Sequence, residues 1–174
     1  MNLDTLISSN AVIISKTIKS KKRALEVLAE QLATEATKTG QHSIANIDID
    51  TVNTDAIDPL EIFHLLTNRE KLGSTGIGHG VALPHARTDL TDHAVGALLK
   101  LDKGIDFDSP DQQPTDLIFS LMVPEHYTDE HLKILAYLAS LFSDENFCKA
   151  LRNSNNAEDM HKQLISWQLA SRAS

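Results

Sequence analysis

The chain has 174 residues, 16 Lys and Arg against 24 Asp and Glu, a formal net charge of −8 and 41% hydrophobic residues. This acidic balance argues against a nucleic-acid partner, and apolar runs fall short of the roughly 20 residues that a membrane span needs. Its one cysteine excludes an intrachain disulfide, and the first residues lack the features of a secretion signal. We therefore expect one cytoplasmic domain over residues 1–174, without membrane insertion.

The first third of the chain predicts a helical turn at residues 3–7, a buried strand at 11–14 and a long helix at 21–37. Ser20 is the expected N-cap of that helix. Apolar residues at helical spacing form its buried face: Leu25, Leu28, Ala29 and Leu32. Periodicity fails from 37 to 57, which predicts a long polar connection.

The remaining pattern alternates helices with strands. Asp58 and Pro59 are typical of a helix start, and that helix should end near Gly73. Strands are predicted at 94–100 and 116–123, with turns between them. Helices are predicted from 129 with Thr128 as N-cap, at about 144–152, and at 157–169. The predicted apolar face of the first of these comprises Leu132, Leu135, Leu138, Ala139 and Phe142. Such interleaving predicts an α/β protein with helices on both faces of a sheet.

A glycine-rich stretch, Gly73 to Gly80, runs into a short apolar strand that ends at Pro84 and His85. The third glycine of Gly76-x-Gly78-x-Gly80 comes one residue too early for the dinucleotide-binding fingerprint, and no Gly-Lys-Ser/Thr follows. Nucleotide binding is therefore not expected. Pro84 restricts the backbone before His85, which suits the presentation of one imidazole at the edge of a sheet.

The sequence gives little support for a metal site or for a serine or cysteine nucleophile. The eight histidines lack the spacing of zinc ligands, so we predict neither a metal nor a cofactor. There is no Gly-x-Ser-x-Gly motif, and Cys148 resembles a packed helical thiol. A metal-dependent hydrolase remains a distant alternative.

His85 can itself act as a nucleophile, because a neutral imidazole accepts a phosphoryl group near pH 7. The site must then supply hydrogen-bond donors to the equatorial phosphoryl oxygens. The expected donors are Arg69, Arg87, the backbone N–H groups around Gly78 and Gly80, and His131. His131 lies in the first turn of a predicted helix, where the dipole favours a neutral ring that donates one N–H.

The segment from Asn68 to Arg87, with its Asn-Arg-Glu start and Pro-His core, resembles the phosphorylation motif of bacterial phosphotransferase-system enzyme IIA domains. The similarity is to the mannitol/fructose type, and most of all to its nitrogen-regulatory branch. A later Val-Pro segment leading to His131 also fits. The resemblance implies that His85 is phosphorylated, that Arg69 lies near the phosphoryl group and that His131 is a second active-site histidine. It also implies a three-layer α/β/α sandwich with a mixed central sheet. The sequence departs from the family in its longer 37–57 connection, in Leu83 before Pro84, where Ile or Val is commoner, and in Arg87, where family members often carry Lys or another polar residue.

The function implied by this resemblance is that of a phosphotransferase component. His85 would accept phosphate from the phosphohistidine of an HPr-type carrier without a cofactor, and regulatory targets such as a transporter or a sensor kinase would respond. One alternative is a sugar-specific enzyme IIA that passes phosphate to an enzyme IIB. Another is a non-catalytic adaptor that phosphorylation switches.

Overall fold

The computed structural model of the protein describes residues 2–42 and 56–172. In this part a short helix and a strand are followed by two helices, five consecutive strands and three further helices. The helices are α1 (Leu3–Leu6), α2 (Lys21–His42), α3 (Pro59–Lys71), α4 (Asp129–Phe142), α5 (Glu145–Arg152) and α6 (Ala157–Arg172). The strands are β1 (Val12–Ser15), β2 (Gly76–Gly78), β3 (Val81–Ala82), β4 (His85–Thr88), β5 (Val95–Ile105) and β6 (Thr115–Pro124).

The six strands form one mixed sheet in the order β1-β5-β6-β3-β2. β5 and β6 pair antiparallel at its centre, β1 runs parallel to β5, and β3 runs parallel to β6. β4 also pairs parallel with β6, further along the same side than β3. The prediction of an α/β protein with a mixed sheet is confirmed.

Helices cover both faces of the sheet and make the three layers. On one face, ring contacts connect the sheet to α4, α5 and α6 in the order Phe119, Phe142, Phe147 and Trp167. On the other, α2 packs on α3 and β5, and its predicted apolar face is fully buried. Within the described ranges, none of the helices has the length and apolar character required to cross a bilayer.

Two predicted boundaries and one predicted cap differ from the structure. α2 continues to His42, and residues 43–55 of the predicted connection lie outside the described part of the chain. β5 continues through residues predicted as turns, because pairing with β6 resumes at Ile105 after an irregularity. Thr128 occupies the N-cap of α4, but its side chain makes no capping bond.

The buried face of α4 is also rotated from the predicted one. Its buried residues are Ile134, Leu138, Leu141 and Phe142. Leu132, predicted to face inward, is instead 58% exposed. α4 carries apolar residues on more than one of its sides, so helical spacing alone did not distinguish the buried side from the exposed one.

Candidate functional site

His85 is the first residue of β4 and lies beside Leu121 of β6. The Pro84 carbonyl accepts a hydrogen bond from the Leu121 N–H (2.9 Å), so the residue before the histidine is also tied to the central sheet. His85 is half-buried. The strand predicted at 81–83 ends at Ala82 in the structure. After Leu83 and Pro84, the imidazole belongs to a second short strand, β4, that the sequence did not predict.

The two ring nitrogens of His85 have different partners. Nδ1 lies 2.8 Å from the Leu83 carbonyl oxygen, and Nε2 lies 3.3 Å from Nε of Arg69. A carbonyl can only accept, so Nδ1 carries the proton of the neutral ring. Nε2 consequently holds the lone pair, and the Arg69 N–H donates to it. This tautomer makes Nε2 the nucleophilic atom.

The environment of His85 favours the neutral ring. Burial lowers the pKa of His85 below its ordinary value, and the positive charges of Arg69 and His131 lower it further. The hydrogen bond to the Leu83 carbonyl and the negative charge of Glu70 oppose this shift without cancelling it. A neutral imidazole near pH 7 is the form that can attack phosphorus.

Arg69 lies in the last turn of α3, a helix that Asp58 caps through the Leu60 N–H. Besides His85, its guanidinium donates to the Gly73 carbonyl (3.0 Å). Across the described residues, no carboxylate lies within ion-pair distance of Arg69. A positive charge that is not neutralised therefore lies against the nucleophilic nitrogen.

His131, in the first turn of α4, approaches His85 from another element. The ring centroids are 6.4 Å apart and the planes are inclined by 42°. Nδ1 of His131 lies 2.9 Å from the Thr128 carbonyl oxygen, so this nitrogen also carries a proton. The neutral ring therefore has no second N–H at Nε2, contrary to the expectation of a neutral donor, and only the imidazolium donates there.

Arg87 follows His85 by two residues in β4, so both side chains lie on the same face of the strand. Arg87 is exposed and its guanidinium donates to the Tyr127 carbonyl (3.4 Å), just before α4. The structure thus brings His85, Arg69 and His131 together and places Arg87 on the same face.

Gly78 and Gly80 lie elsewhere: Gly78 is the last residue of β2, and Gly80 lies in the turn between β2 and β3. The Gly80 carbonyl accepts from the N–H groups of Asp116 and Leu117, near the start of β6, whereas His85 pairs with Leu121. At ~3.3 Å per strand residue, the separation is about 13 Å. The prediction that these glycines support the phosphoryl group does not agree with this geometry.

A tight turn accounts for both glycines. Gly78 and Gly80 have positive φ values of +86° and +78°, which glycine adopts without steric cost. A Cβ on Gly80 would lie 2.6 Å from an Arg152 guanidinium nitrogen and 2.8 Å from Oδ1 of Asp116. The turn therefore packs against an ion pair at the far end of the sheet.

Sequence reasoning gave no role to Glu70, which follows Arg69 and has only 6% of its side chain exposed. The signal was its position on the buried side of α3, where a carboxylate needs partners. For metals, the described part of the chain contains no group of three or more His, Cys, Asp or Glu side chains suited to hold an ion.

Comparisons with known proteins identify the family of this chain. The family model described as "Phosphoenolpyruvate-dependent sugar phosphotransferase system, EIIA 2" matches residues 5–167. A nitrogen regulatory protein of Bradyrhizobium diazoefficiens is 37% identical over 164 residues, which are 94% of this chain and 95% of that protein.

Solved structures show the same fold. The crystal structure of nitrogen regulatory protein IIA-Ntr from Neisseria meningitidis has a TM-score of 0.77 and 32% identity, and the match covers 93% of this chain and 98% of that one. Enzyme IIA-mannitol of Escherichia coli, solved in complex with phosphorylated enzyme IIB-mannitol, has a TM-score of 0.68 and 17% identity, over 92% and 99% of the two chains. At that identity the likeness concerns the fold alone. The chain belongs to the EIIA 2 family of the phosphoenolpyruvate-dependent sugar phosphotransferase system, whose members are phosphotransferase components.

Proposed function

We propose that Nε2 of His85 accepts a phosphoryl group from the phosphohistidine of an HPr-type carrier protein and later passes it on. The single observation that carries the proposal is the arrangement at the imidazole. Nδ1–H is bound to the Leu83 carbonyl, and the Nε2 lone pair faces Arg69. The reactive nitrogen is thus defined by the backbone, and a cation lies beside it.

The transfer is balanced without a cofactor. As the Nε2 lone pair attacks phosphorus in line, the N–P bond of the donor breaks and its electron pair returns to the donor ring. The donor ring, protonated at its other nitrogen, leaves as neutral imidazole, and the ring of His85, which keeps its proton on Nδ1, takes over the positive charge. One phosphoramidate replaces another, so the free-energy change is small and the reaction reversible. Chemistry of this kind depends on positioning and on charge stabilisation rather than on a separate base.

Arg69 is the principal group that stabilises the transferred phosphoryl oxygens. Its guanidinium already reaches Nε2 and has no carboxylate partner among the described residues. When phosphorus bonds to Nε2, the lone pair that accepted the Arg69 hydrogen bond is used in the new bond. The Arg69 N–H then donates to a phosphoryl oxygen, which is a stronger acceptor. Arg87 supports it from the same face of β4.

His131 is the second side chain that can donate to the phosphoryl oxygens. Because its Nδ1–H is bound to the Thr128 carbonyl, it donates from Nε2 only as an imidazolium.

Two exposed leucines support a protein as the donor. Leu72, at the end of α3, is 85% exposed, and Leu132, next to His131, is 58% exposed. Arg69 connects the first region to His85, and the 6.4 Å ring contact connects the second. Apolar side chains that border a reactive group on two sides suit the buried centre of a protein interface.

The regulatory branch is the favoured role. The nitrogen regulatory relative and the IIA-Ntr structure, both above 30% identity, support it. Phosphorylation adds a charge of about −2 to the surface around His85, which a transporter or sensor kinase can detect. A sugar-specific role, with transfer to an enzyme IIB, is the second candidate, favoured by the description of the family as part of a sugar phosphotransferase system. A purely non-catalytic adaptor would share the charge switch without onward transfer.

The organisation follows from the same proposal. We place residues 1–174 in one domain, since the family match extends over 5–167 and the two ends of the described chain meet. The Leu3 N–H donates to the Gln168 side chain (2.9 Å), and a His161 ring nitrogen bonds the Ile7 carbonyl (3.1 Å). Reaction with an HPr-type carrier would locate the protein in the cytoplasm.

Incubation with labelled phosphoenolpyruvate, enzyme I and an HPr-type carrier tests the assignment. We expect acid-labile label on the wild type and none on His85→Ala. His79→Ala is the matched control, because His79 lies in the glycine-rich stretch but bonds to Asp111 and Arg152 far from the site. Equal labelling of His85→Ala and wild type would refute the proposal. Onward transfer to enzyme IIB proteins would identify the sugar-specific role.

A further inference from the structure

Glu70 is a buried carboxylate one residue beyond Arg69, and its hydrogen bonds and ion pair hold neighbouring segments in place. Oε1 accepts from the Thr75 N–H (2.9 Å) and Oε2 from the Thr75 hydroxyl (2.6 Å). Nζ of Lys21, the first residue of α2, lies 2.9 Å from Oε1. Glu70 thus fixes Thr75 at two atoms and joins it to two helices.

Thr75 connects this carboxylate to the reactive imidazole. Its carbonyl accepts from the Leu83 N–H (3.0 Å), and the Leu83 carbonyl in turn accepts from Nδ1–H of His85 (2.8 Å). Each of these distances is that of an ordinary hydrogen bond. A continuous series of bonds therefore leads from Glu70 to the nitrogen that determines the tautomer of His85.

Lys21 holds the carboxylate in place. Its ammonium also bonds to the Phe107 carbonyl and to Asp108, and it lies 4.6 Å from the centroid of the Phe107 ring. Burial lowers the pKa of Lys21, but the bonds to Glu70 and Asp108 outweigh it, and the net pKa is raised. A positive charge that three groups hold in place therefore lies against Glu70.

We propose that Glu70 is a positioning residue for phosphoryl acceptance. Through Thr75 it holds the Leu83 carbonyl where that oxygen keeps the proton on Nδ1 of His85 and the lone pair on Nε2. Arg69 and Glu70, neighbours in the last turn of α3, thereby act on opposite nitrogens of one ring. The inference deepens the proposed function and rests on it.

Glu70→Gln tests this role in the full chain. The amide loses the charge that pairs with Lys21, and its NH₂ group cannot accept the Thr75 hydroxyl. We expect the Nδ1–H tautomer to lose population, seen in the ¹⁵N shifts of His85 in unphosphorylated protein. We also expect the maximal rate of phosphoryl acceptance to fall by about tenfold to a hundredfold. KM for the carrier should remain unchanged.

Asp116→Asn is the matched control. Asp116 is another partly buried carboxylate in an ion pair, with Arg152, but it lies at the start of β6 beside Gly80. Its loss should lower stability without changing the His85 tautomer or the transfer rate. Lys21→Arg should restore most of the activity that Lys21→Met loses, because it keeps the positive charge next to Glu70.

The two proposals fail in different ways. If wild-type His85 takes no phosphate, the proposed function is wrong, while the ¹⁵N shifts still report whether Glu70 determines the tautomer. If Glu70→Gln keeps the wild-type tautomer and rate, or if Asp116→Asn causes an equal loss of rate, the positioning role is wrong. Should Glu70→Gln not fold, Thr75→Val, which loses only the hydroxyl bond, takes its place with the same readouts and outcomes.

Discussion

Two arginines lie in the last turns of their helices, Arg69 in α3 and Arg152 in α5, and their partners differ. Arg152 forms a forked ion pair with both oxygens of Asp116, at 2.8 to 3.1 Å, and donates to the His79 carbonyl. Arg69 also donates to a carbonyl, that of Gly73, but its other partner is the neutral ring of His85.

The difference separates a structural guanidinium from a reactive one. Asp116 raises the pKa of Arg152 and neutralises its charge, so this pair fastens the β2–β3 turn to the sheet. Among the residues that the structure describes, no carboxylate compensates the charge of Arg69, and the Nε2 lone pair of His85 faces it. The same residue type thus supports the fold at one end of the sheet and leaves an anion-binding position at the other.

The largest expected effect comes from removing each of the two arginines in turn. Arg69→Ala should reduce phosphoryl acceptance by about a hundredfold to a thousandfold, because it removes preorganised charge stabilisation, with little change in thermal stability. Arg152→Ala should instead lower the free energy of unfolding by about 1–2 kcal/mol, because it leaves Asp116 unpaired. Transfer kinetics and denaturant titrations of both variants measure the contrast. If Arg152→Ala were the variant with the transfer defect, the comparison would be invalid.

The pH dependence of acceptance comes next in size. Protonation removes the Nε2 lone pair, so the rate should fall about tenfold per pH unit below the pKa of His85. Because burial and Arg69 lower that pKa, the acid midpoint should lie below 6.5, the ordinary value. Arg69→Ala should move the midpoint toward 6.5. Single-turnover rates from pH 5 to 8 decide this, and a midpoint above 6.5 in the wild type contradicts it.

A smaller effect is expected from the two exposed leucines beside the site. Leu72→Asp and Leu132→Asp should each raise KM for the carrier several-fold with kcat nearly unchanged, since they place charge in the centre of an interface. Leu169→Asp on α6 is the control, because Leu169 is similarly exposed at 61%. Equal effects of all three substitutions would indicate general repulsion rather than docking.

Gly80→Ala should affect only the structural end. The added methyl contacts Arg152 and Asp116 at a positive φ, so we expect a loss of about 1–3 kcal/mol in unfolding free energy. The phosphorylation rate per folded molecule should remain that of the wild type. A lower phosphorylation rate in the folded variant would contradict this and would indicate that the turn contributes to the His85 site.

The sequence was informative where local pattern determines structure. Pro84 before His85, the capping residue Asp58 and the first-turn position of His131 are visible in a few neighbouring residues, and the structure brings His85, Arg69 and His131 together. A glycine-rich segment suits both a ligand loop and a tight turn, and the structure places Gly78 and Gly80 at such a turn rather than beside His85.

Long-range pairing explains what the sequence did not predict. The tautomer of His85 depends on the Leu83 carbonyl, which Thr75 holds, and Thr75 depends in turn on Glu70. These bonds cross from a helix to a strand and have no periodic signature. Which side of α4 is exposed similarly depends on which of its apolar sides packs against the rest of the protein.

The most direct test is the identity of the phosphorylated atom. Protein labelled with ¹⁵N-histidine, phosphorylated by phosphoenolpyruvate, enzyme I and an HPr-type carrier, reports it through ³¹P–¹⁵N coupling. Our account predicts phosphorus bonded to Nε2 of His85, because Nδ1 is protonated against the Leu83 carbonyl. Phosphorus on Nδ1 of His85, or on any other residue, would contradict it.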